Sequence, residues 1–310
     1  MAAHTRPEFQ IVSQVATRAT RAVYARELLP ERALWWLAAA GMRDWYRILG
    51  KKLEPHLPNA KKQLAELGIR LFERRRAALP SRIRERLEAP RDLALLLGAL
   101  YRIDGAPKSA WIFEGIGGAA KTIPERLRAR LLLSRMTVRE RWDEVATHLG
   151  ELLIVLTEDL PAILPHARKI LGDICFEAGA KYAEHAKKLL HFPERSSDPP
   201  RDAMEILRMS EYVFQVNPEH WGSSDGTSGW LEGTACPWWS RPGWNGGHCG
   251  IFGQFQSGIA SAFGLRYHLS KTIPKHGGHT CRIDVKPIQD RRADAPLVPA
   301  SDLTRRARVS

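Results

Sequence analysis

The chain has no apolar run of the roughly 18 to 20 residues that a bilayer-crossing helix needs. The longest candidate, Leu28 to Met42, is broken by Pro30, Glu31 and Arg32. The first residues, Met1 to Pro7, lack the apolar segment of a secretory leader. Both absences point to a soluble protein without a membrane partner, and the expected location is the cytoplasm. Cysteine is scarce: Cys175, Cys236, Cys249 and Cys281 are the only four. In a leaderless chain of 310 residues, that scarcity argues against a stapled disulfide framework and for a reducing compartment. No internal repeat is present. The Arg-dense text from Arg70 to Arg91 holds a single aromatic, Phe72, and no groove-reading motif accompanies it. The formal charge of +13 is therefore read as a solvated basic helix face plus the arginines Arg305, Arg306 and Arg308 of the tail. Nucleic acid is not the expected partner. A small anionic ligand suits the charge.

What is present divides the chain. Up to about residue 210, apolar residues recur at three- and four-residue spacing between prolines, which is helical text. The spacing predicts helices over Glu8–Leu29, Glu31–Lys52, Ala60–Leu79, Ser81–Glu88 and Arg91–Ile103. Thr137 and Glu140 form a capping-box pair opening a helix to about Leu156. Leu160–Leu190 reads as a long helix stepped at Pro165. The phrase from Glu114 to Thr122 has the glycines of a phosphate-binding loop, but Ala120 stands where the glycine before the lysine is required. Pro124 follows too soon for a clean helix start, so a turn is expected there. His191–Pro200 is a polar, Pro-rich linker. Beyond it Glu211–Val216, Gly229–Cys236, Arg266–Ile273 and Thr280–Val285 have strand-like composition, and Gly246–Phe263 suits a closely packed helix. The expected architecture is α+β: a helical domain over 1–157, a small antiparallel-sheet-plus-helix module over 158–288, and a disordered tail over 289–310.

The chemistry-bearing residues cluster in the second part. Trp221, Trp230, Trp238, Trp239 and Trp244, with Cys236, have the composition of a small-molecule pocket wall. Cys249 opens the helical text Gly250–Phe263, where aligned N–H groups lower a thiol pKa and favour a nucleophilic thiolate. His248, His276 and His279 are candidate acid/base groups. Zinc is not the expected cofactor, although Cys249, His279 and Cys281 offer soft ligands; two well-separated ligand pairs are missing. Glu177 and His185 share a helix face with Asp173, Lys181 and Glu184. That face is either a salt-bridged solvated surface or a further acid/base site.

Three features carry a resemblance: Cys236-Pro237, Cys249 leading a glycine- and aromatic-rich helix, and the closing Gly277-Gly-His-Thr-Cys281-Arg-Ile-Asp284. From about Leu160 to Pro287 the chain resembles the L-2-amino-thiazoline-4-carboxylic acid hydrolase family. Its last strand is also similar to that of the 4-vinyl reductase type of ligand-binding domain. Gly278 stands where the hydrolase family has an acidic residue. The resemblance implies hydrolytic opening of a small cyclic amidine bearing a carboxylate. Two alternatives remain open at this point: a ligand sensor without turnover, and a cyclase or lyase reusing the pocket. A homodimer is compatible with the helical first part.

Overall fold

The computed structural model describes residues 17–25, 27–88, 90–101, 122–193, 196–216, 219–234, 236, 238–239, 241, 243–273 and 280–288. The expected tail, the glycine-rich phrase before Thr122, the first part of the first expected helix, and both His276 and His279 lie outside those residues. The architecture is α+β, 67% helical, with a four-stranded antiparallel sheet. Two compact units divide it: residues 1–22 with 27–152, and residues 23–26 with 153–310.

The first unit contains helix α1 (17–22, continuing to 24), α2 (Glu31–Leu53), α3 (Ala60–Arg75), α4 (Ser81–Arg84), α5 (Pro90–Tyr101), α6 (Ile123–Ser134) and the first part of α7 (Val138–Asp159). Helix α2 buries Leu34, Trp35, Ala38, Met42, Trp45, Tyr46, Leu49 and Leu53, a stripe at helical spacing. Its Glu31 lies in the first turn and Lys51 and Lys52 in the last, matching the helix dipole. Two buried hydrogen bonds tie the helices of this unit together. The Trp35 indole N–H donates to the Leu100 carbonyl at 3.0 Å, and Tyr46 Oη lies 2.6 Å from His148 Nε2.

Several arginines of the dense run close this unit. Arg76 donates to the Leu87 carbonyl at 2.7 Å, Arg84 to the Ala77 carbonyl at 2.8 Å, and Arg91 to Glu125 at 2.8 Å. The capping pair forms as read: Glu140 N–H donates to Thr137 Oγ1 at 3.1 Å and Thr137 N–H to Glu140 Oε2 at 2.7 Å. Pro124 needs correction. It does not prevent a helix; it sits in the first turn of α6, behind a Thr122–Glu125 capping box. First-turn N–H groups have no intrahelical partner, so proline loses nothing there.

The second unit contains α8 (Ala167–Leu190), α9 (Pro199–Val213), α10 (Gly246–Ser261) and strands β1 (Glu219–Ser224), β2 (Gly229–Thr234), β3 (Leu265–Lys271) and β4 (Thr280–Pro287). The sheet order is β1-β2-β4-β3. Two sequence readings are corrected here. Glu211–Val213 is the last turn of α9, not strand. The linker text supplies that helix's start, with Asp198 accepting the Arg201 N–H at 3.1 Å and prolines at its first positions. Strand β1 went unread because Gly222, Ser223 and Ser224 have little β-propensity; its ladder with β2 holds it extended.

Successive strand residues alternate between faces. His220, Leu231, Gly233, Cys281, Ile283, Val285 and Tyr267 share the inner face; Trp221, Trp230, Glu232, Arg282 and Asp284 share the outer one. Helices α9 and α10 cover the inner face, and α8 packs behind α10. Helix α10 is therefore buried on both sides, which is why its text is apolar and small all round. The α8–α10 crossing depends on two glycines. A Cβ on Gly179 would overlap the Phe255 carbonyl, and one on Gly258 would overlap the Phe176 carbonyl.

Candidate functional site

The inner face of the sheet carries a buried polar chain that begins on helix α9. Glu211 and His220 side chains are each 1% exposed, and His220 Nε2 lies 2.8 Å from Glu211 Oε2. Gln256, from α10, donates its amide N–H to Glu211 Oε1, and the Tyr267 hydroxyl of β3 donates to Gln256 Oε1. Four elements thus contribute to one hydrogen-bonded chain, in which His220 and Gln256 reach the carboxylate directly. Burying a carboxylate is costly unless hydrogen bonds compensate, and here both of its oxygens are engaged. Among the described residues, His220 Nδ1 is buried without a hydrogen-bond partner. A histidine held through one ring nitrogen by a carboxylate, with the other nitrogen uncommitted, has the arrangement of an oriented acid/base group.

The late cysteines gather at the same inner face. Cys281 lies in the same register row as His220, separated from it by Gly233 of β2. Burial is the main cause raising the pKa of both Cys236 and Cys281; charge on Cys249 or Cys281 adds to the first, and the Glu211 carboxylate adds to the second. The thiols are therefore electrostatic neighbours of one another and of the Glu211 carboxylate. Cys249 Sγ accepts the Trp244 indole N–H at 3.3 Å. Cys281 Sγ accepts the Ile273 N–H at 3.5 Å. The Cys236 carbonyl accepts the Trp239 N–H at 3.2 Å. All four cysteines are free, and Cys175 is buried on α8.

The expectation of a depressed Cys249 pKa is reversed. Burial pushes the thiol up to about 11, outweighing the indole donor and the helix start. Burial likewise pushes Cys236 up to about 12. A measurable result follows. Near pH 8, alkylation of Cys249 in the native protein is expected to be about 100-fold slower than in the urea-unfolded chain, because each pKa unit is a tenfold change in thiolate. Peptide mass spectrometry after timed iodoacetamide quenching reads it. Equal rates in both states would show a thiol open to solvent.

His248 is 1% exposed, and the structure gives it a structural duty. Its Nδ1 accepts the Asn245 N–H at 3.0 Å, completing a capping box for α10, and its ring stacks on Trp244 at 5.2 Å. Burial lowers its pKa below the ordinary value, against weaker opposing contacts with the Ile154 and Asn245 backbone. As pH falls through about 6.5, the unfolded chain takes up a proton before the folded one does. Stability is therefore expected to fall from about pH 7 to pH 5, and less steeply in His248→Gln. Urea midpoints at the two pH values measure the slope. An unchanged slope in the variant would remove His248 from this role.

The five tryptophans do not line one cleft. Trp238 is 1% exposed, packed on Trp244 at 5.2 Å and edge-on to Phe252 at 5.0 Å, and forms a wall beside the thiols. Trp221 and Trp230 point from the opposite face of the sheet, because each is next in sequence to an inward residue. Trp221 is 42% and Trp239 41% exposed. Arg282 stacks over Trp230 at 4.4 Å, beside a shallow outer-face cavity of about 270 Å³ that Asp225 and Lys286 also line. Glu177 and His185 are exposed on α8; Glu177 pairs with Lys181 at 3.8 Å, and Lys169 with Asp173 at 2.7 Å. That helix face is the salt-bridged surface of the two readings.

Sequence reasoning missed Glu211, His220, Gln256 and Tyr267. Glu211 was read as strand and His220 lay in unassigned text. No group of three or more metal-ligating side chains meets among the described residues. His276 and His279 are not among them. No protein-family model, curated protein or solved structure matches the chain.

Proposed function

We propose that the second unit is a hydrolase-like enzyme that opens a small cyclic amidine or amide bearing a carboxylate. His220 is the acid/base group and Glu211 positions it. The observation that carries this reading is the buried Glu211–His220 pair with Nδ1 uncommitted among the described residues, on the inner sheet face that also holds the thiols. The substrate class comes from the resemblance of the Cys236-to-Asp284 text to 2-amino-thiazoline-4-carboxylate hydrolases.

The reaction takes water as nucleophile. His220 Nδ1 accepts a proton as the water oxygen bonds to the amidine carbon. The imidazolium gives that proton to the substrate's ring nitrogen, and the neutral imidazole then relays the second water proton, from the new C–OH group, to the same nitrogen as the C–N bond breaks, which leaves a carbonyl, an amine and a neutral imidazole. Glu211, bonded to Nε2, stabilises the transient imidazolium. A half-buried thiol with a pKa near 11 holds little thiolate at neutral pH, which favours water over Cys249 as the attacking group.

The test incubates the full-length protein with 2-amino-thiazoline-4-carboxylate and related cyclic amidines and follows the mass gain of one water. Ring opening lost in His220→Gln and retained in Cys249→Ala supports the water route. Loss in Cys249→Ala would move the nucleophile to the thiol.

The binding-module reading has its own observation, the outer-face cavity where Trp230 lies under Arg282 with Lys286 nearby. Absence of turnover together with ligand-dependent quenching of tryptophan fluorescence, abolished in Trp230→Leu, would favour it.

A further inference from the structure

Among the described residues, helix α6 is held on the first unit by one side only. Ala129 and Leu132 are buried there, Arg128 pairs with Asp92 at 2.8 Å, and Glu125 pairs with Arg91 at 2.8 Å. The opposite side carries Ile123, Leu127 and Leu131. Four-residue spacing places them in one stripe, and they are 71%, 60% and 49% exposed. Isolated surface aliphatics are ordinary; three in a row on a well-capped helix are not.

The rim of the stripe is cationic. Arg126 and Arg130 are exposed on α6, and Arg135 follows its last turn. Arg82 of α4 and Arg86, two residues beyond that helix, lie beside the rim. The Arg82 guanidinium donates to the Arg135 carbonyl at 2.9 Å, and the Arg86 carbonyl accepts from Arg128 at 2.7 Å. Three neighbouring carboxylates are paired, Glu88 with Arg128 at 3.7 Å, Glu125 with Arg91 and Glu140 with Arg82, and Glu85 is exposed beside Arg86.

We propose that this face of α6 docks the protein on an anionic lipid surface, with the helix lying in the plane of the headgroups. The chemistry selects that occupant over others. A second copy of the chain would set one arginine rim against another. Nucleic acid would use the arginines but leave the aliphatic stripe in water. A partner helix seeks a groove, and this stripe is the crest of a single helix. An anionic interface uses both features: acyl chains accept the aliphatic side chains while headgroup phosphates and carboxylates pair with guanidinium groups. At 1.5 Å per residue the stripe is only about 12 Å long, so the association is shallow and reversible. It is a contact with the surface; no described helix is long and apolar enough to cross a membrane.

The test is co-sedimentation of the full-length protein with phosphatidylcholine vesicles, with and without about 30% phosphatidylserine. Binding to the anionic vesicles is expected, at least about tenfold weaker to neutral ones, with release at about 0.5 M salt. Leu127→Ser/Leu131→Ser and Arg126→Gln/Arg130→Gln should each weaken binding about tenfold or more. These side chains face solvent, so the helical circular dichroism of both variants should match the parent. Wild-type protein left in the supernatant would overturn the proposal, as would equal binding to neutral and anionic vesicles or parental binding by both variants. Capture of an acidic amphipathic peptide without vesicle binding would overturn it in favour of a protein partner.

Discussion

Gly258→Ala is expected to destabilise the second unit by about 3 kcal/mol or more, and Gly179→Ala by a similar amount. Most glycines in helices gain slightly from this change, because alanine has less backbone entropy to lose. Here the added methyl group meets backbone. On Gly258 it would fall on the Phe176 carbonyl and 2.8 Å from the Ala180 nitrogen; on Gly179 it would fall on the Phe255 carbonyl. A side chain can rotate away, but a carbonyl inside a helix moves only with the helix. The two sites are reciprocal, since Phe255 lies three residues before Gly258 and Phe176 three before Gly179. Helices α8 and α10 must therefore separate at both points. The control lies in the same helix: Gly246 has nothing within 4 Å of its added Cβ, so Gly246→Ala should stay within about 0.5 kcal/mol of the parent. Urea titration by tryptophan fluorescence compares the three. Equal midpoints for Gly258→Ala and Gly246→Ala would mean that the crossing is looser than described.

The second large effect concerns chemistry. His220→Gln is expected to reduce ring-opening turnover by about 10²- to 10⁴-fold, the range typical of a lost general acid/base. Glutamine keeps a polar side chain beside Glu211 but cannot accept and return a proton at the reacting nitrogen. Glu211→Gln should lower turnover as well, by removing the charge that favours the imidazolium. It should also disturb folding, because Gln256 would then face an amide in place of a carboxylate oxygen. Tyr267→Phe separates the two roles. It deletes only the far hydroxyl of the chain, so it should cost about 1–2 kcal/mol of stability with turnover nearly unchanged. His220→Gln with parental turnover would remove His220 from the reaction and reopen Cys249, His276 and His279 as candidates.

Some of this was readable from residues alone. The helices of the first unit follow from local periodicity and local caps. Apolar spacing in Glu31–Leu53 and the Thr137–Glu140 pair each act within one or two turns, so no distant contact is needed to see them. The helix opening at Gly246 and the strands around Leu231, Tyr267 and Ile283 were legible for the same reason. The clustering of Cys236, Cys249 and Cys281 in the late text was visible too.

The partners within that cluster were decided by tertiary structure. Strand β1, with its glycine and serines, is extended because β2 pairs with it, and only that pairing turns His220 inward and Trp221 outward. Glu211 reaches His220 because α9 runs three residues further than its composition indicated. The Cys249 thiol illustrates the general point. Its position at a helix start was sequence information and favoured a low pKa, whereas its burial beneath Trp244 was not, and burial dominates. Local text determines which elements form and which side chains are available. Register, burial and the close α8–α10 crossing determine which of them meet, because those depend on contacts between residues far apart in the chain.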